Sequence, residues 1–267
     1  MLRIAFDMDG VFADMQRGLA REAEALFGKA AVADVTAASA QRLDSAPLDE
    51  GDAEDSAPAP AVATAAAEAD AAQEAAAAVR LRAMAQTRRR EQALWRKTRD
   101  MENFWEGLDE IEPGSVARLA QVAGERGWEV LFLTRRPPTK GATSQVQTQR
   151  WLARHGFALP SMFVVSGSRG RIAESLDLDV VVDDRPENCL DVAVESKARA
   201  ILIWRDDAGA IPASAKRLGI AVVRSVRDCL DLLEQAGSTA RPAGFRERLK
   251  RLLGFESSSA RPATSGS

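Results

Sequence analysis

Tyrosine is absent from the chain, aromatic residues make up only 5% of it, and its 267 residues hold two cysteines and one histidine. Each scarcity closes off a class of function. Cys189 and Cys229 are too few for a secreted disulfide scaffold, and they form no CxxC pair of metal-binding spacing. The lone His155 excludes a two-histidine zinc site, and any Ser-His-Asp or Cys-His machinery would have to use it. It sits in WLARHGF beside Gly156, where a helix is expected to end and the helix dipole favours a cation. No apolar run approaches bilayer length, so no transmembrane segment is expected. The start runs straight into Asp7 and leaves no room for the apolar core of a signal peptide. A reducing cytoplasm is the expected location.

What is present is globular, with 46% hydrophobic and 28% charged residues. The formal net charge of −3 gives no global field that would favour nucleic acid or membrane.

The chain divides by pattern. Leu2–Phe6 reads as a buried strand, and Met15, Leu19, Ala23, Leu26 and Phe27 follow at near-helical spacing. The alanine-rich stretch 30–40 is ambiguous. Asp44–Pro60 is acidic and proline-containing, which predicts a solvated linker. Ala61–Ala78 is a strong helix former and runs on into an arginine-rich stretch. There the charges should cover a solvated face while Met84, Leu94 and Trp95 turn inward.

From Glu112 the rhythm changes. Helices are expected after Pro113, over Thr143–His155, near Arg171–Leu176, over Pro186–Lys197 and around Val226–Gln235. Strands are expected at Trp128–Thr134, Met162–Gly167, Asp179–Asp184, Ala200–Trp204 and Ile220–Val223. Alternating strands and helices imply an α/β fold with a doubly wound parallel sheet. Right-handed crossovers place every strand's carboxyl end on one side. The expected organisation is an α/β core from residues 1–14 and 108–236 and a helical cap insertion at 15–107, suited to a lid. Residues 237–267 are expected to be a basic amphipathic segment and a disordered tail. In it, Phe245, Leu249, Leu252 and Leu253 could line one side of a helix at 244–255, docked on the domain or meeting a partner or membrane surface.

Chemistry-bearing residues recur at the strand ends. Asp7 and Asp9 follow the first strand, and alternate residues of an extended chain point the same way. Asp183 and Asp184 end DVVV, and Thr134 ends LFLT with Arg135 and Arg136 behind it. SGSRGR, from Ser166 to Arg171, adds basic groups. Singly, each has an ordinary explanation as a turn, a cap or a solvated charge. Together they suit a hard, oxygen-loving cation and a phosphoryl group.

DMDGV, LTRR, GSRGR and VVDDRPENC resemble the four motifs of the haloacid dehalogenase-like (HAD) phosphohydrolase superfamily. DMDGVFAD, NFWEGLDEIEPG, VLFLTRRP, QRWLARHGF and VVDDRPENC are similar, more narrowly, to the cytosolic 5′(3′)-deoxyribonucleotidase group. The resemblance covers residues 1 to about 30 and about 100 to 205. It implies a Rossmann-like core, Mg2+ as cofactor, and Asp7 as a nucleophile that forms an aspartyl-phosphate. Asp9 would protonate the leaving oxygen and then activate water, its backbone carbonyl reaching the metal. Thr134, Arg135 and Arg169 would contact the phosphorylated substrate. Asp184 would ligate the metal with Asp183 beside it, and which of the two touches it stays open. The family's third-motif lysine is replaced here by Arg169 or Arg171.

Asp9 argues for a phosphatase, because a dehalogenase needs no proton donor for halide. The expected substrate is a phosphorylated small molecule such as a nucleoside monophosphate. A polynucleotide phosphatase, another metabolite phosphatase, and a non-catalytic protein that binds a partner are the alternatives. No aromatic base clamp can be traced. Phe12, Phe27, Trp95, Phe104 and Trp105 could line a pocket but suit the core better.

Overall fold

The computed structural model describes residues 1–45 and 67–238. The expectations for 46–60, which is most of the acidic linker, for 61–66 and for the tail beyond 238 lie outside these residues. In chain order the elements are β1 (Arg3–Asp7), α1 (Met15–Phe27), α2 (Val32–Ser45), α3 (Ala67–Asp100), α4 (Ser115–Arg126), β2 (Glu129–Thr134), α5 (Ser144–Arg154), β3 (Ser161–Val164), α6 (Arg169–Ser175), β4 (Val180–Asp183), α7 (Pro186–Glu195), β5 (Arg199–Ile203), α8 (Ala213–Arg217), β6 (Ala221–Val223) and α9 (Val226–Ser238). Among the described residues, no helix is long and apolar enough to cross a membrane.

The six strands form one parallel sheet in the order β3-β2-β1-β4-β5-β6. Near-continuous apolar runs such as IAF, VLFL, VVV and AILI fit strands buried on both faces. The chain winds outward from β1 through β2 to β3, then returns to β4 on the other side of β1. The β1–β4 boundary is therefore the topological switch point, where such sheets place their ligands.

Register sorts the side chains. Ala5 pairs with Leu131 and Val181, and Val181 with Ala200. All four pack with Ala173, Leu178, Cys189 and Val192 in the core on the α6–α7 side. Phe6 pairs with Phe132 and Val182 and faces the other way. There Phe12 meets Phe6 with ring centroids 5.5 Å apart, and Phe157 meets Phe132 at 5.0 Å. Arg118 ties α4 to α9 by bridging Asp231 and Glu234.

Two compact units result. Among the described residues, one comprises 1–13, 110–134 and 152–238; the other comprises 14–45, 67–109 and 135–151. The expected insertion at 15–107 falls in the second unit, which also takes in 135–151. Within it Leu19, Ala23, Val35, Leu94 and Trp95 are buried among α1, α2 and α3, and Lys97 pairs with Glu22 at 2.8 Å. The ambiguous stretch 30–40 is helical, lying in a short 3-10 turn at Lys29–Ala31 and in α2.

One apolar residue differs from expectation: Met84, expected to turn inward, is 69% exposed. The whole of 77–86 on α3 is exposed, so helical spacing there marks no covered face. Phe12, Trp95, Phe104 and Trp105 are buried, in keeping with core roles, while Phe27 is half-buried under the Arg90 guanidinium.

Trp151 anchors the second unit. It is fully buried, and its indole N–H donates to the Leu108 carbonyl at 2.8 Å. Trp151→Ala is expected to cost about 3–5 kcal/mol of stability from lost packing and the cavity left behind. Trp151→Phe, which gives up mainly the hydrogen bond and part of the ring, should cost less. Guanidinium unfolding midpoints of the two variants check this order.

Candidate active site

Asp7 is the last residue of β1 and Asp183 the last of β4. Asp7 pairs in register with Leu133 and Asp183 with Leu202, both in the α6–α7 core. The period of two therefore aims both carboxylates toward that side. α6 meets them there.

Helix α6 is capped by Ser168, whose hydroxyl accepts the Gly170 N–H at 3.1 Å and the Arg171 N–H at 3.4 Å. Gly170 lets α6 lie against α7, since a Cβ would fall 2.1 Å from the Asp191 carbonyl oxygen. The cap puts Arg169 at the first helical position and sends it inward, only 5% exposed. Its Nη2 donates to Asp7 Oδ1 at 2.7 Å, and its Nε stands 3.6 Å from Asp183 Oδ2. Arg171 points outward, its side chain 81% exposed, and faces Glu195 at 3.7 Å. Of the two arginines, Arg169 is the one beside the aspartates.

Asp7, Asp183 and Asp184 each bring a carboxylate oxygen within 4.8 Å of the others. The two neighbouring aspartates differ in how they are satisfied. Asp183 accepts from Asn188 Nδ2 at 3.1 and 2.9 Å and from the Arg185 backbone N–H at 3.0 Å, besides facing Arg169. Asp184 Oδ1 is buried with no hydrogen-bond partner. A cation in the cluster would satisfy it.

The electrostatics agree. Burial first, then the Asp183 charge, pushes the Asp7 carboxyl up to about 8 against the pull of Arg169. Burial and the charges of Asp183 and Asp7 hold Asp184 well above the ordinary carboxylate range. Burial raises Asp183 as well, opposed by Arg169 and Asn188. Three carboxylates face the one guanidinium that touches them, with the charges of Arg185 and Arg205 farther off, so negative charge is in excess. One divalent cation would balance it, and an all-oxygen donor set favours magnesium, calcium or manganese over softer metals. The residues present therefore fit the cation that the family resemblance implies.

Asp9 lies beyond the strand, half-buried, and accepts from Thr134 Oγ1 at 3.1 Å. Its carboxylate is not one of the three clustered groups. Gly10 turns the chain with φ +83°, its N–H bonded to the Ala13 carbonyl at 3.1 Å. A Cβ there would fall 1.9 Å from Asp184 Oδ2, so only glycine fits. Arg135 is half-buried and opens the 135–151 segment of the second unit. His155 stands just past the end of α5. Both cysteines are buried, and burial pushes their thiols well up, which suits packing and not nucleophilic chemistry.

Three participants escaped sequence reading: Asn188, Glu112 and Arg205. Arg205 carried a usable signal, since it closely follows an apolar strand on the edge that holds the aspartates. Asn188 lies one turn into the helix after the aspartate pair, within reach of its start.

No family model and no curated protein matches the sequence. Among solved structures, the fold is similar to a crystal structure of an L-2-haloacid dehalogenase, with 15% sequence identity and a TM-score of 0.41 over 87% of this chain and 99% of that one.

Proposed function

We propose that this protein is a magnesium-dependent phosphomonoester hydrolase that works through a phosphorylated Asp7. One observation carries the reading: Asp7 sits at the switch point within 4.8 Å of Asp183 and Asp184, with Arg169 on its Oδ1 at 2.7 Å. A bound divalent cation would be held by Asp7 and Asp184, with the Asp9 carbonyl as a further ligand, and would offset phosphoryl charge. Asp183, occupied by Asn188, Arg185 and Arg169, orients its neighbours.

In this reading the Asp7 carboxylate attacks phosphorus through Oδ2, the oxygen not taken up by Arg169. The bond from phosphorus to the ester oxygen breaks, and that oxygen takes the proton of Asp9. Water then attacks the phosphorylated Asp7. Asp9 accepts its proton, the bond to Asp7 breaks, and inorganic phosphate leaves with Asp9 protonated again. The single hydroxyl proton of Thr134 is donated to Asp9 here and would turn to a phosphoryl oxygen when substrate binds. The Arg169 guanidinium neutralises charge there. The second aspartate favours an oxygen leaving group over a halide, which requires no proton. The substrate class we assign is a small phosphomonoester such as a nucleoside monophosphate, on the strength of the motif resemblance.

Phosphate release from deoxynucleotides, ribonucleotides and sugar phosphates, with magnesium and with chelator, tests this. Turnover is expected with magnesium and at least about 100-fold less without it. No turnover across the panel, from protein shown to be folded, sinks the reading.

A further inference from the structure

Arg205 lies two residues beyond the end of β5. Its Nη1 donates to the Gly10 carbonyl, and its Nη2 donates to the Val11 carbonyl at 3.2 Å. Nη2 also pairs with Glu112 Oε1 at 2.7 Å. Glu112 in turn accepts the backbone N–H of Val226 at 2.9 Å and of Arg227 at 3.3 Å, at the start of α9. A chain of charge-assisted hydrogen bonds therefore runs from α9 through Glu112 and Arg205 to the two peptide groups that follow Asp9.

Those two peptide groups set the turn. The N–H groups of Phe12 and Ala13 close it onto the Met8 carbonyl at 3.0 and 2.9 Å, and Gly10 bonds across it to Ala13. The carbonyls of Gly10 and Val11 take their donors from β5's end. A guanidinium can serve both carbonyls and a carboxylate at once, because its donors are spread in a rigid planar fork; an ammonium is a single point. Arg205 spends its hydrogen bonds on this grip and on Glu112, and its charge also favours the ionised form of Asp184.

We propose that Arg205, braced by Glu112, is a positioning residue: by holding the Gly10 and Val11 carbonyls it aims the Asp9 carboxyl at the leaving-group oxygen. This rests on the phosphatase reading above. A general acid displaced by a fraction of an ångström loses its effect on poor leaving groups first, because a good leaving group departs without a proton.

The test compares p-nitrophenyl phosphate, a good leaving group, with an alkyl phosphate such as a nucleoside 5′-monophosphate or glycerol phosphate. R205A is expected to lower kcat/KM, which reports phosphoryl transfer to Asp7 and not the water step common to both esters, about 100-fold on the alkyl ester and less than about 3-fold on the aryl ester, the difference being the share of proton donation. R205K and E112Q should show the same split at about a tenth of its size. In a D9N background, R205A should add nothing on the alkyl ester. A variant that merely loosened the fold would lose both substrates equally, and equal losses overturn the proposal. If R205A does not fold, R205K and E112Q decide it by the same criterion. A folded wild-type protein inactive on p-nitrophenyl phosphate and across the panel of deoxynucleotides, ribonucleotides and sugar phosphates overturns the phosphatase reading and this inference with it. An active wild type with equal losses removes only the role of Arg205.

Discussion

Replacing Asp7 by Asn should lower phosphate release by about four orders of magnitude or more, because an amide oxygen does not supply the nucleophile of a covalent step. The same change should leave the fold intact and, without metal, alter how its stability depends on pH. Burial and the Asp183 charge raise the Asp7 carboxyl to about 8, whereas an unfolded chain titrates it near ~4. The folded state binds this proton more tightly. Its contribution to stability is therefore fully present below about pH 4 and is lost as pH rises through about 8. Asp184 is shifted in the same direction for the same reasons. Metal-free protein should thus melt at falling temperature from pH 5 to pH 8. Asp7→Asn carries no proton to lose and should show a shallower fall, and magnesium should flatten the wild-type curve. Thermal melts at several pH values, with chelator and then with magnesium, read all three. Parallel slopes for wild type and variant would show that Asp7 ionises without penalty, and retained turnover would show that it is not the nucleophile.

The site's carboxylates were legible because they sit where local pattern and topology coincide. A strand of period two ending at Asp7 and another ending at Asp183 need only a parallel sheet to bring them together. Arg169 was legible only as one of two choices, for a physical reason: the decision lies in where α6 begins, and that depends on the Ser168 cap. The strand before it ends earlier than MFVVSG implies, since Val165 makes its last bond to Thr134 and the chain then leaves the sheet for the cap. Glu112 and Arg205 were illegible as a pair. They stand 93 positions apart, and no periodicity joins them. Met84 shows the opposite error: it was read as facing inward, yet it lies in 77–86, all of which is exposed. Helix α8 was missed because it is too short to display a period.

Arg169→Met should be the most destabilising single change at the site. Its guanidinium is nearly buried between Asp7 and Asp183, and methionine would leave both carboxylates in a dry environment without their cation. Breaking such a pair from one side costs about 3–5 kcal/mol. The loss must depend on pH. Arg169 lowers the pKa of both aspartates, so removing it raises them further and favours their neutral forms. Near pH 5 both would be protonated and the penalty small, whereas near pH 8 the variant must either keep two protons against the solvent or bury two charges. Urea unfolding of metal-free protein at pH 5 and pH 8 should show the gap from wild type widening with pH. Arg169→Lys should restore most of the stability, because one charge is returned, and less of the turnover. A lysine ammonium cannot hold Asp7 Oδ1 and face Asp183 through a rigid fork while also meeting a phosphoryl oxygen. Arg169→Met should lower turnover about 100- to 1,000-fold, as expected for one preorganised donor to developing charge. If the lysine variant equals wild type in turnover, the fork geometry contributes nothing and only the charge matters. If the methionine variant is as stable as wild type at pH 8, the aspartates are neutral there already, and the balance of three carboxylates against one guanidinium is not what calls for a divalent cation.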